Sequence, residues 1–163
     1  MEKQFVDMVN KHRGILYKVC NLYCNDTEDK KDLFQEIVLQ LWRSFRNFRH
    51  DSQPSTWMYR VALNTAISNF RKESRKPERF AISDKELQIP DMNEWADQSE
   101  NLRSLKQAID QLTQIEKAII LLYLEEKSYE EISDIIGITR TNVGVKLNII
   151  KSKLELIIKR QTT

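Results

Sequence analysis

Residues 113–154 read TQIEKAIILLYLEEKSYEEISDIIGITRTNVGVKLNIIKSKL, and the punctuation of this stretch decides the fold. Thr113 is followed three residues later by Glu116, and Ser128 by Glu131. Each pair has the form of a capping box, in which hydroxyl and carboxylate satisfy backbone N–H groups that a helix start leaves without partners. Between the boxes, Ile115, Ala118, Ile119, Leu122 and Tyr123 make an apolar stripe at helical spacing. The helix begun at Ser128 is short, with Ile132, Ile135 and Ile136 expected inward. It stops at Gly137, the residue type that best tolerates left-handed backbone. Thr139 then caps another helix, whose core stripe is Val143, Leu147, Ile150, Leu154 and Ile157. A short helix, a tight glycine turn and a second helix form the unit that lays a recognition helix in the DNA major groove; an ordinary helical hairpin is the alternative.

Composition extends this to the whole chain of 163 residues. Gly and Pro number three each, so turns are few, and apolar spacing is helical nearly everywhere. The expected class is all-α: two small helical domains joined by an acidic linker, the C-terminal one a helix-turn-helix. No apolar run approaches the roughly eighteen residues of a membrane span, and residues 1–10 lack a secretory apolar core, so the expected location is cytoplasmic, without membrane insertion. Cys20 and Cys24 lie one helical turn apart, while His12 and His50 have no metal-ligand spacing, so buried thiols are expected and neither a metal nor a cofactor.

The overall charge of +2 hides a division. Residues 1–79 carry net +5, residues 80–100 net −5, and residues 101–163 net +2. Residues 80–100, with Pro90 and weak periodicity, read as a linker with a short helical turn near residues 93–96. Each flanking module is long enough for a small bundle of three or four helices.

In the first module, residues 5–23 form one amphipathic helix with Phe5, Val9, Leu16, Val19, Cys20 and Tyr23 near one face. Gly14 weakens its middle by about 1 kcal/mol relative to Ala. Asn25, Asp26 and Thr27 supply turn and cap chemistry for a second helix running to about Phe45, with Asp32, Gln35, Glu36 and Gln40 on its polar side. The loop over residues 47–55 holds Arg49, His50, Asp51 and Pro54. A helix over residues 56–75 follows. Tyr59, Ala62, Leu63, Ala66, Ile67 and Phe70 share its core face, and Trp57, Arg60, Asn64, Ser68, Arg71 and Arg75 share another. Guanidinium groups pair with phosphates, Asn reads base edges and aromatics stack on unpaired bases, so the second face suits nucleic acid; a solvated face with Trp57 buried at a helix junction is the alternative.

Residues 32–36 (DLFQE) followed by Trp42, then residues 55–64 (STWMYRVALN), resemble region two of bacterial sigma factors. Residues 128–138 (SYEEISDIIGI) resemble the helix-turn-helix of their region four. Two such modules in this order with only a short linker between them resemble the extracytoplasmic-function group, and the resemblance covers nearly the whole chain. It implies a sigma factor, not an enzyme, that directs RNA polymerase to specific promoters and assists strand opening. It implies that Asp32, Gln35 and Glu36 contact the clamp helices of core polymerase. It also implies that the loop and following helix capture the minus-ten element as a single strand, using Arg49, His50, Trp57, Arg60, Asn64, Ser68 and Arg71. Region four is implied to bind the polymerase flap and to read the minus-thirty-five element as duplex. An anti-sigma factor is a further candidate partner.

The recognition helix departs from the family's usual pattern, with Gly144, Val145 and Lys146 where many relatives carry Lys, Ser and Arg. Thr139, Arg140, Thr141, Gly144, Val145, Lys146, Asn148 and Lys151 are its expected DNA-facing residues. Arg140 suits guanine, Asn148 adenine and Val145 a thymine methyl. Gly144 either admits a phosphate close to the backbone or relieves crowding against a neighbouring helix. Ile149 lies off the core stripe and is left for polymerase, an anti-sigma partner or a helix of its own module. Two other functions compete: an autonomous operator-binding regulator, and a DNA enzyme with a helix-turn-helix tail. The first would not need Gln35 and Glu36. The second needs a nucleophile or a carboxylate cluster, and the dense acids Asp26, Glu28, Asp29 and Asp32 are explained by a helix start.

Overall fold

The structure, a computed structural model, describes residues 2–48, 53–71 and 100–162. Among them the regular structure is helical: α1 (Glu2–Lys11), α2 (Arg13–Tyr23), α3 (Thr27–Phe45), α4 (Pro54–Arg71), α5 (Glu100–Ile109), α6 (Gln114–Leu124), α7 (Tyr129–Ile136) and α8 (Arg140–Thr162). They fall into two compact units, Met1–Glu94 and Trp95–Thr163. The chain is thus all-α, as its composition and spacing indicate. No described helix is long and apolar enough to cross a membrane.

In the first unit, the single helix expected over residues 5–23 is two. The chain breaks at His12 (φ −111°, ψ 20°), where the Ile15 N–H donates to the His12 carbonyl at 3.0 Å in a tightened turn. The break serves packing. It turns Phe5 onto Trp42 and Phe45 near the end of α3, with ring centroids 5.0 and 5.3 Å apart. α2, by contrast, is covered on most sides by α3 and α4. Gly14 follows the break and has open space where a Cβ would stand, so it weakens the helix without being required by a close neighbour. Asp26 is the N-cap of α3 by backbone geometry, with no side-chain cap bond. α4 starts at Pro54, two residues earlier than expected, because proline's fixed φ and missing N–H suit a first helical position. Its expected continuation to Arg75 lies outside the described residues, as does the helical turn expected near residues 93–96.

The core of this unit includes the fully covered Leu16, Phe34, Ile37, Leu41, Met58 and Leu63. Cys20 is buried there, and desolvation pushes its thiol well above the ordinary range, leaving it a small apolar side chain. Cys24 is only half-buried, which corrects the expectation of two buried thiols: it lies past the last residue of α2, in extended backbone.

The second unit is assembled from local signals. In both capping boxes the bonds run both ways. The Glu116 and Glu131 N–H groups donate to the Thr113 and Ser128 hydroxyls at 3.2 and 3.1 Å, and the Glu116 and Glu131 carboxylates accept from the Thr113 and Ser128 N–H groups at 3.0 and 3.1 Å. Gly137 ends α7 at φ 85°. The Ser133 hydroxyl, donating to the Ile138 carbonyl, holds the turn that follows. α6 ends in a Schellman motif built on Glu126, at φ 63°: the Lys127 N–H reaches the Leu122 carbonyl and the Glu126 N–H the Tyr123 carbonyl, both at 3.0 Å. Ile119, Leu122, Ile132, Leu147 and Ile150 fill the core, with α8 packed against α5, α6 and α7. Ile115, Ile136 and Ile157 are half-buried rather than interior, because each sits at the edge of its stripe.

Candidate functional site

The first unit carries a groove between α3 and α4. Glu36, Gln40 and Ser44 form one wall, and Val61, Asn64, Thr65, Ser68 and Asn69 the other, around an open volume of about 360 Å³. The Gln40 amide donates to the Glu36 carboxylate one turn back at 3.0 Å, which aims the carboxylate along its own helix. The Thr65 hydroxyl is turned back to the Val61 carbonyl at 2.7 Å and is not free to read a ligand. Glu36 is the only charge among these lining residues. Such a surface repels phosphate and accepts donors: amides, guanidinium groups or the amino groups of bases. Asp32 and Gln35 are half-exposed on α3 but lie outside the groove walls.

On α4, Asn64 and Ser68 are exposed and Arg60 is half-exposed. Trp57 departs from the expected open face. It is only 8 % exposed, stacked on Phe48 with centroids 4.6 Å apart and planes 13° apart, and tilted against Phe45 at 6.4 Å. The correction has a simple cause. Trp57 lies in the first turn of α4, where the chain returns from the loop, and Phe48 at the loop's other end covers its ring. Its ring face is thus unavailable for stacking on a base; its role in the structure is to join the loop's two ends. Arg49, His50 and Arg75 lie outside the described residues, as does the side chain of Arg71.

In the second unit, α8 begins with a capped first turn. The Thr139 hydroxyl accepts from the Asn142 N–H at 3.1 Å, so its oxygen is engaged as a cap. Arg140, Thr141 and Asn148 are exposed, Val145 is 51 % exposed, and Gly144 and Lys146 are half-exposed. A Cβ at Gly144 would meet the Tyr129 ring at 3.5 Å, an ordinary contact, so crowding alone does not demand glycine. Ile149 is 48 % exposed and shares an outward stripe with Val145 and Leu156, so it does not fill the interior of its own unit.

Lys151 is placed by its neighbours. Its Nζ donates to the Tyr123 hydroxyl at 3.1 Å and lies 4.3 Å from the centre of that ring. The hydrogen bond from Lys151 to Tyr123 holds the ammonium pKa above its ordinary value. Tyr123, expected in the core stripe of α6, is 36 % exposed. Spacing places it on the correct side of α6 but cannot tell the edge of a stripe from its centre. Nor does spacing along one helix reveal that Ser44, Thr65 and Asn69 meet across the groove.

Residues 8–76 match the family described as Sigma-70 region 2, and residues 102–154 match Sigma-70, region 4. The chain is 31 % identical over 150 residues to the ECF RNA polymerase sigma-E factor of Escherichia coli K12, covering 81 % of this chain and 77 % of that protein. It is 26 % identical over 171 residues to the ECF RNA polymerase sigma factor SigX of Bacillus subtilis, covering 96 % and 87 %. Its fold is similar to that of the sigma factor RpoE from Bartonella quintana, solved in complex with the anti-sigma factor NepR, at a TM-score of 0.67 with 19 % identity over 96 % of each chain. Matched in both regions, in order, and at this identity over most of a relative's length, the chain belongs to the extracytoplasmic-function RNA polymerase sigma factors.

Proposed function

We propose that residues 1–79 act as sigma region two, residues 80–100 as an acidic linker and residues 101–163 as region four of a factor in which each unit holds both core polymerase and promoter DNA. As a sigma factor, the chain serves promoter-specific transcription initiation by RNA polymerase. In our reading Asp32, Gln35 and Glu36 contact the clamp helices, and Arg60, Asn64 and Ser68, with Arg49, His50 and Arg71, hold the unpaired minus-ten strand. Arg140, Thr141, Val145, Lys146, Asn148 and Lys151 then face the minus-thirty-five duplex, and the polymerase flap is the protein contact of the same unit. The protein supplies binding energy rather than bond chemistry: contacts to unstacked bases offset the few kcal/mol that unpairing costs. It works in the cytoplasm, where its polymerase is, and an anti-sigma factor like the one bound by the Bartonella relative is a candidate regulator.

The observation that carries this reading is the α3–α4 groove, where Glu36 and Gln40 stand opposite Asn64 and Ser68. Glu36→Lys is expected to weaken core-polymerase binding by about 2–5 kcal/mol, the range for reversing or removing a paired interface charge, with helicity unchanged by circular dichroism. Wild-type affinity in that variant would remove the clamp assignment. Asn64→Ala is expected to reduce permanganate reactivity of promoter thymines more than it reduces closed-complex binding. Equal loss in both would mean that Asn64 serves duplex binding alone.

A further inference from the structure

Two exposed tyrosines stand beside α8, one of them inside the motif that carries the family and one outside it. Tyr123 on α6 is 36 % exposed and Tyr129 on α7 is 38 % exposed. Both border the same flank of α8, where Arg140, Gly144 and Lys151 stand at i, i+4 and i+11. The Tyr129 ring lies 3.5 Å from where a Gly144 Cβ would be, so it stands against α8 at Gly144. Lys151 donates to the Tyr123 hydroxyl at 3.1 Å. No carboxylate among the described residues pairs with it, since Glu155, one turn further on, is bonded to Lys159 at 3.4 Å.

The proton count gives this arrangement a direction. A lysine ammonium has three protons and no acceptor, and a phenol oxygen can accept one bond while donating its own proton. With one ammonium proton given to Tyr123, two remain, and the Tyr123 O–H is still free to donate. The pair therefore offers three donors, two N–H and one O–H, with the ammonium held beside a neighbouring helix by the Tyr123 hydroxyl. A positively charged corner rich in donors, beside the helix read above as the recognition helix, suits the oxygens of a backbone phosphate.

We propose that Lys151 and Tyr123, walled by Tyr129 over Gly144, clamp one phosphate of the promoter duplex and so fix the depth and register of α8 in the major groove. Tyr123 has two parts in this: it positions Lys151, and it donates to the phosphate itself. The proposal rests on α8 being the recognition helix.

The test uses holoenzyme reconstituted from the full chain and core RNA polymerase. The probe is a duplex promoter that this holoenzyme has enriched from a random library, and closed-complex affinity is followed across potassium chloride concentration. Lys151→Ala should lower the slope of log affinity against log salt by about 0.9, the release of one phosphate's counterion. Tyr123→Phe keeps the ring and the charge count, so it should weaken binding by about threefold to tenfold at unchanged slope. Tyr123→Phe should cost less in the Lys151→Ala background than in the wild type, because there only its own bond to the phosphate is left to lose. Base preferences should be unchanged in all three. Wild-type affinity in Tyr123→Phe, an unchanged slope in Lys151→Ala, or independent additive losses would each overturn the clamp. Arg140→Ala and Asn148→Ala separate this from the underlying reading. If they alter base preference while Tyr123→Phe has no effect, the clamp alone falls. If they too leave affinity and preference untouched, the recognition-helix reading falls and takes the clamp with it.

Discussion

The two units solve the same problem, a small helical bundle with a binding face, by opposite means. The C-terminal unit is specified locally. Two reciprocal capping boxes, a glycine at φ 85° and a Schellman turn start and stop its helices within a few residues of the atoms responsible. Among the described residues of the N-terminal unit, α2 and α3 both start without a side-chain cap bond. The unit's first helix is broken by packing, and its loop ends are joined by an aromatic cluster of Phe5, Trp42, Phe45, Phe48 and Trp57. Caps act between residues three apart, whereas an aromatic cluster needs segments some fifty residues apart to arrive together. The difference teaches that a binding face can rest on local punctuation or on long-range packing, and that the first is far easier to read.

The sharpest way to break the contrast is to damage each core. Phe34→Ala should cost the N-terminal unit about 3–5 kcal/mol and Leu147→Ala the C-terminal unit about 2–5 kcal/mol, both side chains being fully buried. If the units fold independently, hydrogen exchange should show protection lost only in the unit carrying each change. A loss spread over both units in either variant would mean that the chain folds as one body.

A smaller effect tests whether local capping carries the C-terminal unit. Burial works to raise the Glu116 carboxyl, but hydrogen bonds from Lys153 and from the Thr113 N–H outweigh it and hold its pKa below the ordinary 4.5. A carboxyl whose folded value is depressed stabilises fully above its unfolded value, and that stability is lost as pH falls through the folded one. Glu116→Gln should therefore cost about 1 kcal/mol at neutral pH and flatten the acid side of the stability curve below about pH 4.5. A thermal melt series from pH 7 to 3 measures both. An unchanged neutral stability would show that the Lys153 bridge is redundant with packing, since glutamine can still complete the capping box.

The smallest expected change runs the other way. Glu126 sits in left-handed backbone at φ 63°. Glycine there removes the strain that a Cβ creates, so Glu126→Gly should stabilise the C-terminal unit by up to about 1 kcal/mol, read as a rise in its unfolding midpoint. A fall would mean that the exposed Glu126 side chain contributes more than its backbone conformation costs.

The sequence by itself determined the helical class, both capping boxes, the stop at Gly137, the core stripe of α8 and the residues that carry the family. All of these rest on spacings of a few residues, where backbone geometry converts position directly into contact. It could place Asn64, Glu36 and Arg140 on helix surfaces for the same reason. Only the tertiary structure decided the break at His12, the cover over Trp57, the groove that sets Glu36 opposite Asn64, and the pairing of Tyr123 with Lys151. Each of these depends on where a second helix lies, and helical periodicity describes one helix at a time. It marks which side of a helix faces the core, not which neighbour meets its edge.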